Sequence, residues 1–210
     1  LLMGDAGVDK PFTTRPEVTA CRVERAVLDE DGDEDESGKT VAGAQRVVVF
    51  GSGRLLDLID VENTKRQSAY VLKDSGATIG ASGWPGTSMV KRQLARIEDE
   101  DAEEVKDGKG EVIKKAVPYS ISGDDLDLAR QDGWYVDFDQ NTGERVNLDP
   151  KVVAGTVNVV TNLPSSSTAC SVGGTSVMYQ LNVCTGRAAS PDGVAGYPLA
   201  ASAAVGFIVV

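Results

Sequence analysis

The sequence predicts an all-β fold built from β-propeller blades, with only part of the ring in this chain. Three observations lead there. Trp134, Val136 and Phe138 alternate with Tyr135 and Asp137, the period-2 pattern of a strand with one face in a core. That strand runs into Asn141-Thr142-Gly143, where Asn and Gly tolerate the left-handed backbone of a tight turn. A second copy of the unit, Val177 to Val183, closes at Thr185-Gly186. A third, looser copy lies earlier: Val47 to Phe50 runs into Gly51-Ser52-Gly53-Arg54, and Ser68 to Leu72 runs into Lys73-Asp74 before Gly76. Such a unit recurring about every forty to fifty residues suggests propeller blades. About three units fall short of the roughly four to eight blades that close a ring, and an unclosed ring leaves bare strand edges. The chain is therefore expected to be one piece, residues 1–210, of a propeller completed elsewhere.

The elements follow in order. Residues 11 to 28, with Val18, Cys21, Val23 and Val27 among polar neighbours, read as a leading strand region. The acidic stretch 29–38 is a loop interrupting a hairpin into Val47 to Phe50. Gly80 to Gly86, with Trp84-Pro85-Gly86, is a turn-rich connector, and its proline excludes a central strand. In residues 91 to 104, Leu94 and Ile97 are spaced by three among Arg and Glu, which fits an amphipathic helix. The turn signal Asp107-Gly108-Lys109-Gly110 and the return strand Glu111 to Val117 favour a hairpin excursion over 91–117 instead. Its basic residues would face Glu98 to Glu104 across the pair. Val152 to Asn162 reads as two strands around Ala154-Gly155. After Gly186 the chain is loop-like through Pro191-Asp192-Gly193 and ends in an unrelieved apolar run. A strand over 205–210 is expected there, buried on both faces or paired with a partner absent from this chain.

Composition narrows the function classes. The chain is 41% hydrophobic and 25% charged, ordinary for a globular protein. The net charge of −11 is local: Asp29 to Glu36 holds seven carboxylates and Glu98 to Glu104 holds six, and without those thirteen, 19 acids face 21 bases. Scattered Lys and Arg form no cluster of the kind that binds a nucleic-acid backbone, so a nucleic-acid partner is excluded. No apolar run reaches the length of a membrane-spanning helix. Leu1-Leu2-Met3-Gly4-Asp5 lacks the basic region and cleavage site of a signal peptide.

Catalysis is not expected. The chain has no histidine, the commonest general base and a common metal ligand. Ser165-Ser166-Ser167 has neither a partner base nor a nucleophile-elbow pattern, and nothing activates Cys170. Asp29, Asp31, Asp33 and Asp35 alternate as calcium ligands would. Counted from Asp29, however, Gly32 is fourth and Thr40 twelfth, where an EF-hand needs Gly sixth and Glu twelfth. A solvated acidic loop is preferred, with those four carboxylates kept as the weak metal candidates. Asp137, Asp139 and Asn141 are assigned to the turn, accepting backbone hydrogen bonds. Three cysteines leave one unpaired or bridged elsewhere. Cys170 and Cys184 are the candidate disulfide if their Cα atoms come within about 7 Å; the alternative is small buried thiols.

The wording of the chain is more specific than its spacing. Thr14 to Val18, Val49 to Leu55, Asp60, Gln67 to Tyr70, Gly133 to Asp137, Gly143 to Val146 and Gly173 to Ser176 form an ordered, collinear series. In that order they resemble the C-terminal propeller of type IV pilus tip adhesins and biogenesis factors, the PilY/PilC family, over about Pro11 to Gly186. The resemblance implies a non-enzymatic module of pilus biogenesis and tip adhesion that influences pilus extension and retraction. Implied partners are pilus tip or minor pilin proteins, a host or abiotic surface, and the remainder of the same protein. It also implies export through the periplasm and outer membrane to the cell surface at the pilus tip, which favours a disulfide. The family's calcium loop matches no segment here and is expected upstream of Leu1, so no calcium ligand carries over. Quinone-dependent dehydrogenases also use blades with Asp…Thr-Gly turns, so a quinoprotein-type oxidoreductase fragment is the alternative, and a generic extracellular interaction scaffold a third.

Overall fold

The computed structural model describes residues 2–5, 8–27, 29, 31, 38–76, 88–98, 104–106, 112–115, 117–167, 171–199 and 203–209. They form fourteen strands and one short helix. β1 (Leu2–Asp5) and β2 (Val8–Pro11) pair as a hairpin. Then come β3 (Glu17–Ala26), β4 (Thr40–Gly51), α1 (Leu58–Val61), β5 (Ser68–Lys73), β6 (Met89–Arg96), β7 (Glu104–Lys106), β8 (Val112–Lys115), β9 (Tyr119–Ser122), β10 (Gly133–Asp137), β11 (Lys151–Val153), β12 (Thr156–Ser167), β13 (Ser171–Asn182) and β14 (Val194–Pro198). The fold is all-β, as the alternation predicts.

Ten of the strands share one sheet in the order β11-β12-β13-β14-β9-β6-β10-β5-β4-β3. Neighbours are antiparallel except β10 and β6, which run parallel and join the two halves. The sheet curls until its edge strands β11 and β3 approach each other, a nearly closed, barrel-like form compatible with part of a propeller or with a barrel. Curling puts one face of each half inward. Val47, Val49, Val71, Trp134 and Val136 from one half meet Val157, Val159, Tyr179 and Leu181 from the other in a single core. Alternation along the strands is what selects these residues. The indole of Trp134 lies at the centre and donates to the Val183 carbonyl at 2.9 Å, so the largest core side chain leaves no polar atom unmet.

β3 and β4 form an antiparallel hairpin whose register pairs Glu17 with Val49 and Ala26 with Thr40; of the acidic stretch 29–38 that separates them in sequence, Asp29, Asp31 and Gly38 are among the described residues. Residues 91 to 104 are not helical where described: β6 and β9 are antiparallel, and β7 and β8 form a further hairpin beyond them that sets Glu104 opposite Lys115. The Asp107 to Gly110 turn and the Gly80 to Gly86 connector lie outside the described residues. Ala154 and Gly155, both at positive φ, turn β11 into β12 as the sequence predicts.

Two expectations need correction. Residues 203–209 form no strand, and Val205 and Ile208 are 96% and 87% exposed, which removes the alternative of a strand buried on both faces within this chain. Ala204 of this segment is held by side chains of Asn162 and Ser176 rather than by a strand ladder. Second, Cys184 is bonded to Cys21, with Cα atoms 5.5 Å apart, and not to Cys170. Cys170 lies outside the described residues, directly before β13, whose twelve residues carry the chain about 40 Å along the sheet before Cys184. Closure of the sheet brings the far end of β13 to β3, so Cys21 is the sulfur within reach.

Candidate functional site

Asp137 ends β10, and its register partner on β5 is Ser68. Alternation places Tyr70, Tyr135 and Lys91 on that same face, opposite the Trp134 face. β2 lies over it and brings in Lys10. The Lys10 Nζ donates to Ser68 Oγ at 2.8 Å, to Tyr70 OH at 3.1 Å and to Asp137 Oδ1 at 3.3 Å. Ser68 Oγ donates to the same Oδ1 at 2.5 Å, and Lys91 and Arg66 reach Oδ2 at 3.0 and 3.6 Å. Burial pushes the Asp137 carboxyl up, but the Ser68 hydroxyl, Lys10 and Lys91 outweigh it and hold the group below the usual carboxylate range. Phe50, Tyr70 and Tyr135 stack in a row beside this cluster at centroid spacings of 5.3 and 6.1 Å, and Phe12 meets Phe50 and Tyr70 edge-on at 5.1 and 6.2 Å.

A serine 2.8 Å from a lysine has the spacing of a nucleophile and its base. Here the ammonium donates to three oxygens, so no lone pair is left to take the serine proton, and Lys10, Ser68, Tyr70 and Asp137 are all excluded from solvent. The cluster ties β2 to β5 and β10. Asp137 is thus structural, as the sequence suggests, but its partners are side chains of other elements rather than backbone of its own turn.

A second buried carboxylate, Glu144, accepts from Asn141 Nδ2 at 2.6 Å, Thr161 Oγ1 at 2.6 Å and Tyr179 OH at 2.9 Å. Asn141 Nδ2 also donates to Tyr119 OH at 3.0 Å, which fixes the amide between the two. Burial pushes the Tyr179 phenol well up, and the charge of Glu144 adds to it. Next in sequence, the buried guanidinium of Arg145 donates through Nε to Gly143 O at 2.8 Å, through Nη1 to the carbonyls of Arg54 and Asp60, and through Nη2 to Asn63 O at 2.6 Å. A planar fork with five donors suits such a set of carbonyls.

Three of these four carbonyls, those of Arg54, Asp60 and Asn63, belong to one loop, residues 54–63, which contains α1. Inside it the buried Asp60 carboxylate accepts from Arg54 Nε at 2.7 Å and from the N–H groups of Leu56 and Asp57 at 2.9 and 3.1 Å. Burial raises that carboxyl, and the loop N–H groups and Arg54 bring it below its ordinary value. Asp57 and Asp60 also form a capping box at the start of α1. Gly51 and Gly53 underlie the loop, and a Cβ on Gly51 would run into the Val146 side chain. So anchored, the loop displays Leu56, Leu58 and Ile59 to solvent at 79%, 77% and 69% exposure. Three exposed aliphatic side chains thus lie within four residues of one braced loop.

The other predicted positions behave as follows. Asp29 Oδ1 accepts from the Asp31 N–H at 3.0 Å, a local turn between β3 and β4; Asp33 and Asp35 lie outside the described residues. Among the described residues no group of three or more His, Cys, Asp or Glu side chains is placed to hold a metal ion. The second turn, Asn182 to Gly186, is closed by Asn182 Oδ1, which accepts from the N–H groups of Cys184 and Thr185 at 2.9 and 3.0 Å. Sequence reasoning missed Lys10, Glu144 and Arg145 as buried charges. The motif Gly143-Glu144-Arg145-Val146 carried the signal for the last two, since two opposite charges between Gly and Val suit a packed turn; nothing near Lys10 distinguishes it. Comparison with known proteins finds no matching family model, no matching curated protein and no matching solved structure.

Proposed function

We propose that the chain is a non-enzymatic module of type IV pilus biogenesis and tip adhesion, of the PilY/PilC kind, acting by binding at the cell surface. One observation carries the reading. Three of the segments on which the resemblance rests, Val49 to Leu55, Asp60 and Gly143 to Val146, meet as mutual supports of one exposed loop. Arg145 holds the carbonyls of Arg54, Asp60 and Asn63, and Gly51 and Gly53 let Val146 and Arg145 come close beneath. Ser68 and Tyr70 join Asp137. Such residues hold a display surface and do no chemistry of their own. The Cys21–Cys184 disulfide accords with an oxidising, extracytoplasmic setting. In this reading the Leu56, Leu58 and Ile59 loop meets a pilus component or a target surface, and the remainder of the same protein covers further sheet edges. Deleting the chain from a piliated cell is expected to abolish surface pili and twitching motility and to lower attachment. Unchanged piliation, motility and attachment would sink the proposal.

A further inference from the structure

Asn162 of β12 and Ser176 of β13 are a cross-strand pair, both buried. The Asn162 carboxamide uses its full hydrogen-bonding capacity. Nδ2 donates to Asn147 Oδ1 at 2.8 Å and to the Ala204 carbonyl at 2.9 Å, while Oδ1 accepts from Ser176 Oγ at 2.8 Å and from the Ala204 N–H at 2.7 Å. The Ala204 N–H is also 2.8 Å from Ser176 Oγ. One carboxamide thus bonds both the N–H and the C=O of a single residue, the exchange that two residues make in the hydrogen-bonded pair of an antiparallel ladder. The side chain imitates a neighbouring strand.

We infer that Asn162 and Ser176 form a backbone-reading peptide site, filled within the chain by residues 203–209, and that the same segment of a second copy is the ligand able to replace it. The inference does not rest on the pilus reading. Three features carry it. The site reads backbone, so any extended segment with a small residue at the gripped position satisfies it. Emptying it leaves a buried donor and a buried acceptor each one bond short, which favours refilling. The present occupant is only partly held by packing, since Val205 and Ile208 face solvent while Phe207 and Val209 are half-buried. A second copy re-forms every bond that release breaks, the condition for exchange of identical elements. Within one chain the segment is present at an effective concentration on the order of millimolar, so exchange is expected at comparable protein concentrations.

The test uses two full-length variants. Ala204→Pro removes the gripped N–H and leaves the site intact and open; Asn162→Ala removes the site and leaves the segment intact. Each alone is expected to sediment as a monomer, and an equimolar mixture near millimolar concentration to form a mixed dimer. A synthetic peptide of residues 203–209 is expected to shift the Asn162 side-chain amide signals of the Ala204→Pro protein in nuclear magnetic resonance spectra. It should bind wild type at least tenfold more weakly and Asn162→Ala not at all. Should Ala204→Pro fail to fold, a chain truncated after residue 202, which removes the segment and leaves Asn162 and Ser176 in place, is expected to show the same peptide response. No peptide shift in a folded open variant overturns the site. A peptide shift without mixed dimers overturns the second copy as its ligand.

Discussion

The ammonium of Lys10 lies 3.3 Å from the carboxylate of Asp137, across 127 residues of sequence, and neither group reaches solvent. Two other cations touch Asp137, but both are partly exposed. The pair therefore differs from a surface salt bridge in what its loss leaves behind: a buried charge rather than a hydrated one. Ser68 and Tyr70 complete the shell, so Nζ of Lys10 joins the β1–β2 hairpin to the centre of the sheet, beside the backbone bond from Gly53 N–H to the Pro11 carbonyl.

Lys10→Met is accordingly expected to cost about 3 kcal/mol or more in urea unfolding, because Asp137 and Ser68 lose a buried partner. Lys91→Met removes a contact to the same carboxylate from a half-exposed position and should cost under about 1 kcal/mol. Equal costs for the two would show that burial does not distinguish these partners.

Joining Cys21 to Cys184 closes a loop with a sequence separation of 163 residues. On the chain-entropy account a loop of that length contributes about 5 kcal/mol of stability. Peptide mapping under non-reducing conditions should recover the Cys21 peptide linked to the Cys184 peptide; a Cys170–Cys184 link would refute the pairing. Cys21→Ser is expected to lower the unfolding midpoint and to leave Cys184 reactive to alkylation.

Strand identity was legible where one face is buried. Trp134 and Val136, and Tyr179 and Leu181, alternate because a core selects every second residue, and the Ala154-Gly155 turn announces itself by residues suited to positive φ. Closure of the sheet was not legible, since it depends on the parallel β6–β10 pairing between strands separated by the β7–β8 hairpin and β9. That closure decides the cysteine pairing, bringing Cys21 to Cys184, which proximity in sequence to Cys170 does not reveal. The apolar composition of 205–210 predicted a strand, buried on both faces or paired with a partner absent from this chain, yet composition says nothing of whether a neighbouring strand is there to pair. Asp137 and Arg145 were visible as motif residues, but their partners come from β2 and from residues 54–63, far away in sequence.

Acid should act first through Asp137 and Asp60, whose folded carboxyls both lie below their ordinary value. The folded state then binds fewer protons than the unfolded one as pH falls. Their stabilisation is present in full above the unfolded carboxylate value of about 3.9 and is lost as pH drops below it toward the folded values. Tyr70, Tyr119 and Tyr179 have phenols raised by burial, so their contribution has the opposite sign: complete below about pH 10 and lost above it as the unfolded phenols ionise. Urea midpoints measured across pH should form a plateau that falls at both ends. Asp137→Asn should flatten the acid limb, and Tyr179→Phe the alkaline one.

The loop over residues 54–63 separates support from display, and paired substitutions should separate their effects. Arg145→Lys keeps the charge but cannot reach four carbonyls from one compact ammonium, leaving buried acceptors unmet. A loss of about 2 to 4 kcal/mol is expected, with faster proteolysis after Leu56 and Leu58. Leu58→Asp, at an exposed position in α1, should leave stability within about 0.5 kcal/mol. If the loop is the contact surface, Leu58→Asp lowers attachment of piliated cells while purified protein unfolds at the wild-type midpoint. Arg145→Lys lowers both. Attachment that follows stability alone in the two variants would assign the loop a structural role only.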